Sequence, residues 1–470
     1  MRSKMKTYKY RVANIIANDH IKPNGGIGAG LQSCVQMFQD LGAVNDIIMD
    51  KAPDDKPRQN FVKWFKDNDC NIITPLDPLD LKTYKQIHGF SNSICLEESL
   101  NFRNSIYRAL HKNIYDLIVV HSTQAGIALY GLDILDRIPS VMYTHDYNAV
   151  FKNADGGEGR INFGVGITRF NDMVYRLPGY IVGTHSQRNV EELAHPTAMC
   201  LPLPLTAKDL LKPLTDEEKQ KQNGVLFIGR WEPRKDPEAY CDLIAKTKLP
   251  AKLLVSSNES IKKFKAAFEK RGITDYEFAI DRYEQAQQRG FTTQDEKCAF
   301  IRSCKVSFLP YVYEAYGLAQ YETLCVMPGV VYEHNIWHEN FRQFPHLHKE
   351  TKQSAPDKVL ELHNNPQHNS AQKEIIEYEA TVPGMWNALL SAPKAEVKST
   401  SRFSQHNNIW HNEVVSKLKR HLGIEDIQSV LNAQHLYQRY YTLTDTWYTK
   451  DNTPPIENAE VSIMDWAKGL

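Results

Sequence analysis

The sequence predicts an α/β protein with two parallel β-sheets, each in a domain of its own. Short β-branched runs alternate with longer helical stretches over most of the chain, which is the pattern of βαβ units. Continuous apolar runs such as Leu117-Ile118-Val119-Val120 suit strands that are buried on both faces, as in a parallel sheet. At about 150 residues per domain, the 470 residues leave room for two or three domains.

Eleven segments are predicted as strands, six before residue 200 and five after residue 220. They are Val12–Ala17, Val44–Met49, Asn71–Pro75, Asp116–His121, Ser140–His145, Tyr180–Ser186, Val225–Gly229, Ala251–Ser256, Tyr276–Ile280, Lys305–Pro310 and Gly329–Tyr332. Leu201-Pro202-Leu203-Pro204 interrupts the alternation, because each proline disfavours a helix for itself and its predecessor. We therefore predict α/β domains over residues 1–205 and 206–400 and a helical extension over residues 401–470.

Composition narrows the class of protein. Lys plus Arg and Asp plus Glu both total 56, and this zero net charge argues against a strongly electrostatic nucleic-acid coat protein. The eight cysteines contain no Cys-x-x-Cys pair, which indicates reduced thiols in a reducing compartment. No apolar run reaches about 18 residues, and the N-terminus lacks an apolar signal core. We expect a soluble cytoplasmic protein.

A cationic cluster follows the strand predicted at Val225–Gly229. Arg230 and Lys235 come directly off its carboxyl end, where ligands gather in open α/β sheets. A guanidinium can grip a phosphate at two points and an ammonium adds a point charge, so the pair suits a diphosphate. The alternative is a solvated, charged turn. The adjacent Arg234 is expected to face elsewhere.

Two carboxylates lie eight positions apart, at Glu314 and Glu322. Between them, Gly317-Leu318-Ala319 is expected to open a helix whose exposed N–H groups can meet phosphate. Buried carboxylates without partners would be costly, so inward-facing ones need sugar hydroxyls or cations. The alternative is a surface pair on a helix.

A glycine-rich loop follows the first strand, with Gly25, Gly26 and Gly28 as candidate contacts to a phosphate or sugar. An amphipathic stretch over Leu31–Leu41 comes after it. The glycine spacing does not match the dinucleotide-binding fingerprint. The alternative is a flexible turn without a ligand.

Two further strand ends in the first half carry chemistry. Tyr143-Thr144-His145-Asp146 places a histidine beside a carboxylate that can take a proton, so His145 and Asp146 are candidate catalytic residues. Ser186 ends another strand and is a candidate phosphate contact. A satisfied structural histidine is the alternative for His145.

Some histidines and basic stretches elsewhere in the chain are candidates for metal or nucleic-acid binding. His334 and His338 stand four apart, but no cysteine or carboxylate set completes a site, so no metal is predicted. The helix face around Lys262-Lys263-Phe264-Lys265 and the mixed cationic and aromatic stretch 402–420 could bind phosphates and stack on a base. In the latter stretch the candidates are Arg402, His406, Lys417 and Lys419. An ordinary solvated helix is the alternative for both.

The order and spacing of these groups resemble the retaining glycosyltransferases of the GT-B fold, the class that includes relatives of sucrose synthase and glycogen synthase. In that family a Gly-rich loop, a Gly-Arg followed five residues later by Lys, and a Glu-x7-Glu pair form the donor site. The resemblance covers most of residues 10–335. It implies two Rossmann-like domains facing a central cleft, the first binding the acceptor and the second the nucleotide-sugar donor.

The resemblance also implies roles for single residues. Glu314 is expected to meet the transferred sugar and Glu322 the ribose hydroxyls. Arg230 and Lys235 are expected to hold the diphosphate as it leaves, and His145 matches the histidine that ends a strand of the first domain. The implied co-substrate is a UDP-sugar, with glucose or a pentose such as arabinose as the sugar. No further cofactor is implied.

A narrower resemblance is to bacteriophage DNA α-glucosyltransferases. It is carried by Tyr143-Thr144-His145-Asp146, Glu339-Asn340-Phe341-Arg342 and Ser404-Gln405-His406. It implies double-stranded DNA containing hydroxymethylcytosine as the partner, and the cytoplasm of a phage host as the location. A polysaccharide or a small molecule is the alternative acceptor, and a binding module with a dead site is the non-enzymatic alternative.

Overall fold

A computed structural model describes most of the first 392 residues. The described residues are 8–18, 21, 26–76, 94–110, 113–129, 135, 138–145, 150–152, 158–160, 175, 179–193, 195–205, 207–280, 294–312, 314, 316–369 and 371–392. They divide into two compact units. The first holds the described residues up to 145, those within 175–202 and those within 383–392, and the second holds those within 150–160 and 203–382.

The first unit has a seven-stranded parallel sheet in the order β3-β2-β1-β4-β5-β8-β9. Its strands are β1 (Tyr10–Ile16), β2 (Ala43–Met49), β3 (Asn71–Ile73), β4 (Leu117–Val120), β5 (Ser140–Tyr143), β8 (Ile181–Thr184) and β9 (Ala198–Cys200). β6 (Val150–Lys152) and β7 (Glu158–Arg160) form a separate antiparallel pair, which belongs to the second unit. The run 3-2-1-4-5 is the strand order of a Rossmann fold.

Helices bury both faces of this sheet, as the continuous apolar strands require. They are α1 (Gly26–Asp40), α2 (Lys56–Asp67), α3 (Ile94–Leu110), α4 (Thr123–Leu129) and α5 (Gln187–Leu193). On one face Leu31 and Val35 of α1 join Ile47 of β2 in a core cluster. On the other, Phe102 of α3 packs with a second set of strand residues.

The second unit repeats this order in a six-stranded parallel sheet, β12-β11-β10-β13-β14-β15. Its strands are β10 (Val225–Ile228), β11 (Ala251–Val255), β12 (Tyr276–Ile280), β13 (Val306–Phe308), β14 (Gly329–Tyr332) and β15 (Leu347–Glu350). The chain first extends to one side of β10 and then crosses over to β13 on the other. β10 and β13 therefore flank the topological switch point of this sheet, where doubly wound folds bind their ligands.

One continuous hydrophobic core holds the second unit together. Its helices are α6 (Asp216–Lys221), α7 (Pro237–Thr247), α8 (Asn258–Lys270), α9 (Gln294–Arg302), α10 (Leu318–Leu324), α11 (Ala355–Asn364) and α12 (Gln372–Leu390). The division between units falls inside α12, after residue 382. Short 3-10 turns occur at Lys208–Leu211, Pro233–Lys235 and Ile336–Phe341.

The first unit differs from the sequence expectation at its glycine-rich segment. Residues from Gly26 onward form the first turn of α1, whereas a loop was expected up to residue 30. Glycine disfavours a helix, but Leu31, Val35 and Phe38 are fully buried on one face of α1. This tertiary packing outweighs the local preference of the glycines.

Candidate active site

The carboxyl ends of β10 and β13 bring the predicted cation and the predicted carboxylate together. Gly229 follows β10 at φ 144°, and a Cβ there would lie 3.6 Å from the side chain of Lys235. Pro233–Lys235 forms a single 3-10 turn that places Lys235 above the strand end. Tyr311 and Glu314 follow β13. The cluster therefore lies at the switch point of the second sheet.

Lys235 and Glu314 form an ion pair, with Lys235 Nζ on Glu314 Oε1. Only 12% of the lysine side chain and 17% of the glutamate side chain are exposed. Lys235 Nζ also lies 3.8 Å from the centroid of the Tyr311 ring, in a cation–π contact. Burial and the neighbouring Arg234 lower the pKa of Lys235, while the Glu232 carboxylate acts in the opposite direction.

The Tyr311 ring lies beneath Lys235 and is buried in the second unit. Its hydroxyl donates to the carbonyl of Ile228, at the end of β10. Trp337 Nε1 donates to the Tyr311 carbonyl at 2.7 Å. Both rings are fully buried. Tyr311 is therefore hydrogen-bonded through both its hydroxyl and its backbone carbonyl, and Lys235 lies over its ring.

Arg230 lies at the edge of this cluster. Its side chain is 57% exposed, and its Nε is 2.9 Å from Glu232 Oε1. Arg234 Nε is 2.9 Å from the other oxygen of Glu232, so Arg234 belongs to the same group. This differs from the expectation that Arg234 faces elsewhere. Burial alone would raise the pKa of Glu232, but Arg234 and Arg230 outweigh it and lower that pKa. Glu232 is thus an ionised bridge between two guanidinium groups.

Glu322 is buried on α10 and has a cation of its own. Lys297 Nζ of α9 lies 2.7 Å from Glu322 Oε1, and the two side chains are 18% and 10% exposed. The sequence analysis missed Lys297, because it lies 25 positions before Glu322 in an ordinary amphipathic helix. Both glutamates of the Glu-x7-Glu pair therefore face inward and are paired with lysines. The alternative of an exposed surface pair is excluded.

Gly317 and Leu318 begin α10, as expected. Gly317 is its N-cap at φ 95° and ψ 48°, a left-handed conformation that favours glycine. A Cβ at this position would lie 3.0 Å from Phe341 and 3.1 Å from Trp337. Both the backbone angle and the two rings therefore require glycine here. Leu318 follows as the first helical residue.

His145 follows β5 in the first unit, in a cluster of buried rings. Its Nε2 lies 2.8 Å from Nδ1 of His121, which follows β4. The Tyr143 ring is 4.7 Å from that of His145 between centroids, and the His185 ring is 5.5 Å away. Three histidine side chains therefore lie close together at the carboxyl edge of the first sheet. His121 and His185 were not singled out from the sequence.

Ser186, Gly26 and Gly28 occupy helix starts in the first unit. Ser186 Oγ accepts from the backbone N–H of Asn189 at 3.3 Å, in the first turn of α5. Gly26 begins α1, and Gly28 lies in its first turn. The Ser186 hydroxyl therefore caps the start of α5, and its contact to a phosphate stays a prediction.

Several predicted residues lie outside the described part of the chain. They are Gly25, Asp146, Arg402, His406, Lys417 and Lys419. Within the described residues, no group of three or more His, Cys, Asp or Glu side chains could hold a metal ion. In that same part of the chain, no helix has the length and apolar character needed to cross a bilayer.

Comparison with known proteins gives matches at the level of structure. No protein-family model matches the chain, and no curated protein matches it in sequence. The crystal structure of TarM matches with a TM-score of 0.58 at 11% identity, covering 83% of this chain and all of that one. HepE of Anabaena in complex with UDP matches at 0.55 and 13%, covering 81% and 99%. HepE in complex with UDP-glucose matches at 0.51 and 13%, covering 87% and 100%.

At this level of identity the likeness shows the fold. Both units are Rossmann-like, with parallel sheets of the same strand order. The matches to TarM and HepE span nearly the whole of those chains. The fold class predicted from the sequence is confirmed: this chain has two Rossmann-like α/β domains and matches the GT-B glycosyltransferase structures.

Proposed function

We propose that this chain is a retaining glycosyltransferase that moves a sugar from a UDP-sugar to a hydroxyl group. The observation that carries the proposal is the buried Lys235–Glu314 pair at the switch point of the second sheet, with a second buried glutamate, Glu322, on the helix that follows. HepE, of the same fold, has been crystallised with UDP and UDP-glucose, which supports UDP as the nucleotide.

The charges of the cluster suit the donor. Lys235 would exchange Glu314 for the diphosphate, and Glu314 would then accept hydrogen bonds from the sugar hydroxyls. The exposed guanidinium of Arg230 would turn from Glu232 to the same diphosphate. Glu322 would hold the ribose hydroxyls. In the released diphosphate the negative charge increases, so these cations stabilise the transition state more than the bound donor.

Residues from the first half of the chain complete the proposal. His145 and Asp146 are proposed to act at the sugar and acceptor, and Gly25, Gly26, Gly28 and Ser186 at the donor. The family resemblance implies these roles for the glycines and His145, and the chemistry of the side chains at the two strand ends suggests them for Asp146 and Ser186. In the proposed mechanism the acceptor attacks on the same face of the sugar that the diphosphate leaves, and the leaving diphosphate helps to deprotonate it. Transfer with retention then needs no glycosyl–enzyme intermediate.

The first experiment measures transfer of labelled sugar from a panel of UDP-sugars, with the anomeric configuration of the product read by NMR. Arg230→Ala is expected to lower turnover by about two to three orders of magnitude. It should also weaken the preference for UDP over UMP in binding, because Arg230 is proposed to share the diphosphate with Lys235. Arg271→Ala is the matched control, since Arg271 pairs with the exposed carboxylates of Glu238 and Asp242 on α7. Near-normal turnover of Arg230→Ala would remove Arg230 from the donor site.

For the acceptor we propose 5-hydroxymethylcytosine in bacteriophage DNA, on the strength of the narrower sequence resemblance. An enzyme acting on a base in duplex DNA must extrude it from the stack, at a cost of a few kcal/mol. Binding to DNA should weaken steeply as salt rises. Mass spectrometry of nucleosides after incubation with modified and unmodified DNA tests this acceptor and identifies the sugar. Transfer only to polysaccharides or small molecules would overturn the DNA acceptor and leave the transferase.

A further inference from the structure

A chain of hydrogen bonds leads from a backbone carbonyl to His145 through the interior of the first unit. Asn45 Nδ2 is 3.5 Å from the carbonyl oxygen of Val35, and Asn45 Oδ1 is 3.0 Å from Asn14 Nδ2. Asn14 Oδ1 lies 3.5 Å from His121 Nε2, and His121 Nδ1 lies 2.8 Å from His145 Nε2. Each of the four side chains is at most 9% exposed.

The first link sets the direction of every later one. A carbonyl oxygen can only accept, so the amide of Asn45 donates to it and turns its own oxygen toward Asn14. The Asn14 amide therefore donates to Asn45 and turns its oxygen toward His121. His121 must then carry a proton on Nε2 in order to donate to this oxygen.

The direction of the last link follows from the protonation of His121. A neutral imidazole with its proton on Nε2 has a lone pair on Nδ1, so His121 Nδ1 accepts and His145 Nε2 donates. This assigns a tautomer to each ring: in the neutral state both carry their proton on Nε2. Protonation of His121 at Nδ1 would set two N–H groups against each other at 2.8 Å. Protonation of His145 at Nδ1 leaves the whole chain intact.

We infer that His121 is a positioning residue that holds His145 in the Nε2–H tautomer and makes His145 the member of the pair that takes and releases a proton. His121 accepts from His145 in both protonation states, so it fixes the ring orientation while the charge changes. The inference about the tautomer stands on the geometry alone. Its consequence for catalysis rests on the proposed function, in which His145 acts at the sugar.

The third histidine of the cluster does not compete for this link. The hydroxyl of Tyr143 donates to the carbonyl of Leu201 at 2.6 Å and so can only accept from His185 Nδ1, at 3.0 Å. His185 Nδ1 is therefore a donor to Tyr143, and its role is defined by a separate carbonyl. Two independent backbone acceptors thus assign protons at the edge of one sheet.

The direct test is the ¹⁵N spectrum of histidine-labelled protein, with the His145 resonances assigned by their loss in His145→Gln. The expected result is a pyridine-like shift for His145 Nδ1 and a pyrrole-like shift for Nε2. In His121→Phe, which keeps a ring and removes the acceptor, the His145 signals should shift toward a mixture of tautomers. A parent protein with the His145 proton on Nδ1 would overturn the inference.

The kinetic test separates positioning from general structure. His121→Phe is expected to lower kcat by roughly ten- to a hundredfold, with KM for the UDP-sugar little changed. A loss of this size is typical when a metal-bound histidine loses the hydrogen-bond partner of its other ring nitrogen. His121→Gln, which retains an acceptor and a donor, should recover most of the loss. His195→Phe, in the same unit and bonded to Thr197, is the matched control and should not change kcat.

The two proposals fail in different ways. Absence of transfer in the parent protein from any UDP-sugar would defeat the proposed function, and the tautomer measurement would then decide the inference by itself. Normal transfer by the parent with an unchanged kcat in folded His121→Phe would defeat the positioning role and leave the proposed function standing.

Discussion

At the scale of single residues, Lys297 is the counter-ion of the buried Glu322. The Glu-x7-Glu spacing predicts two inward carboxylates but not their counter-ions. In the structure Lys297 Nζ lies 2.7 Å from Glu322 Oε1 inside the second unit. Breaking such a pair leaves an uncompensated charge, which costs more than an exposed ion pair contributes. Lys297 is therefore part of the proposed donor site although it is absent from the motif.

Lys297→Met is expected to raise KM for the UDP-sugar about tenfold and to change kcat less. The reason is that Glu322 loses the cation that holds it toward the ribose position. The free energy of unfolding should fall by about 1–3 kcal/mol, the cost of an unsatisfied buried polar group. Steady-state kinetics and urea unfolding measure the two effects. Lys263→Met, in an exposed pair with Glu259, is the control, and an unchanged KM would exclude Lys297 from the site.

We expect His185 to make the stability of the first unit depend on pH. Burial lowers the pKa of His185 from 6.5 to about 3. Between these values the unfolded chain binds a proton that the folded chain does not. The free energy of unfolding should therefore fall as pH decreases from about 6.5 toward about 3, by up to about 1.4 kcal/mol per pH unit.

Urea unfolding at about pH 5 and about pH 7 measures this difference between parent and His185→Gln. The glutamine cannot titrate, so the variant should lose the contribution of this group to the pH slope. His195→Gln, a more exposed position in the same unit, should keep it. Equal slopes for the parent and His185→Gln would contradict the assignment.

At the scale of elements, the start of α10 depends on one glycine. Gly317→Ala combines a positive φ with a Cβ 3.0 Å from the buried Phe341 ring. Gly272 provides the control, because it has φ 64° and no neighbouring atom within 4 Å of the added Cβ. Gly272→Ala should cost about 1 kcal/mol from backbone strain alone, and Gly317→Ala about 2–4 kcal/mol. Thermal or urea unfolding measures both, and equal losses would show that the two rings can move aside.

Elements with an internal pattern were predictable, and those defined by neighbours were not. All eleven strands predicted from apolar runs are present. Four strands were missed: β6, β7 and β9 are only three residues long, and Leu347–Glu350 of β15 carries polar and charged residues. β9 and β15 are edge strands, which are commonly short or charged. After residue 354, where polar residues dominate the sequence, Val359, Leu362 and Ile375 join the core of the second unit.

At the scale of the molecule, the division into units depends on contacts that sequence does not reveal. The expected boundary at residues 205/206 lies close to the observed change after residue 202. The expected end of the second domain at residue 400 differs from the observed division at residue 382. Beyond that point Trp386 of α12 is fully buried in the first unit, 5.4 Å from the Phe38 ring, and its Nε1 donates to the Pro202 carbonyl.

Binding of UDP is expected to stabilise the second unit. At a concentration one hundred times Kd the gain is about 2.7 kcal/mol, and it should be larger for UDP than for UMP at equal concentration. Hydrogen exchange followed by mass spectrometry should show protection at residues 225–236 and 314–324. Protection confined to strands of the first unit, or equal effects of UDP and UMP, would contradict the proposed diphosphate site.

The sequence by itself determined the two parallel sheets and the spacing of Lys235, Glu314 and Glu322. These follow from local apolar periodicity and from side chains that adjoin strand ends. Only the tertiary structure decided that Lys297 meets Glu322, that Arg234 shares Glu232 with Arg230, and that His121 meets His145. The first and third contacts join residues that are distant along the chain and meet only because their elements become neighbours in the fold. The second joins residues two positions apart and depends on how the backbone turns after β10.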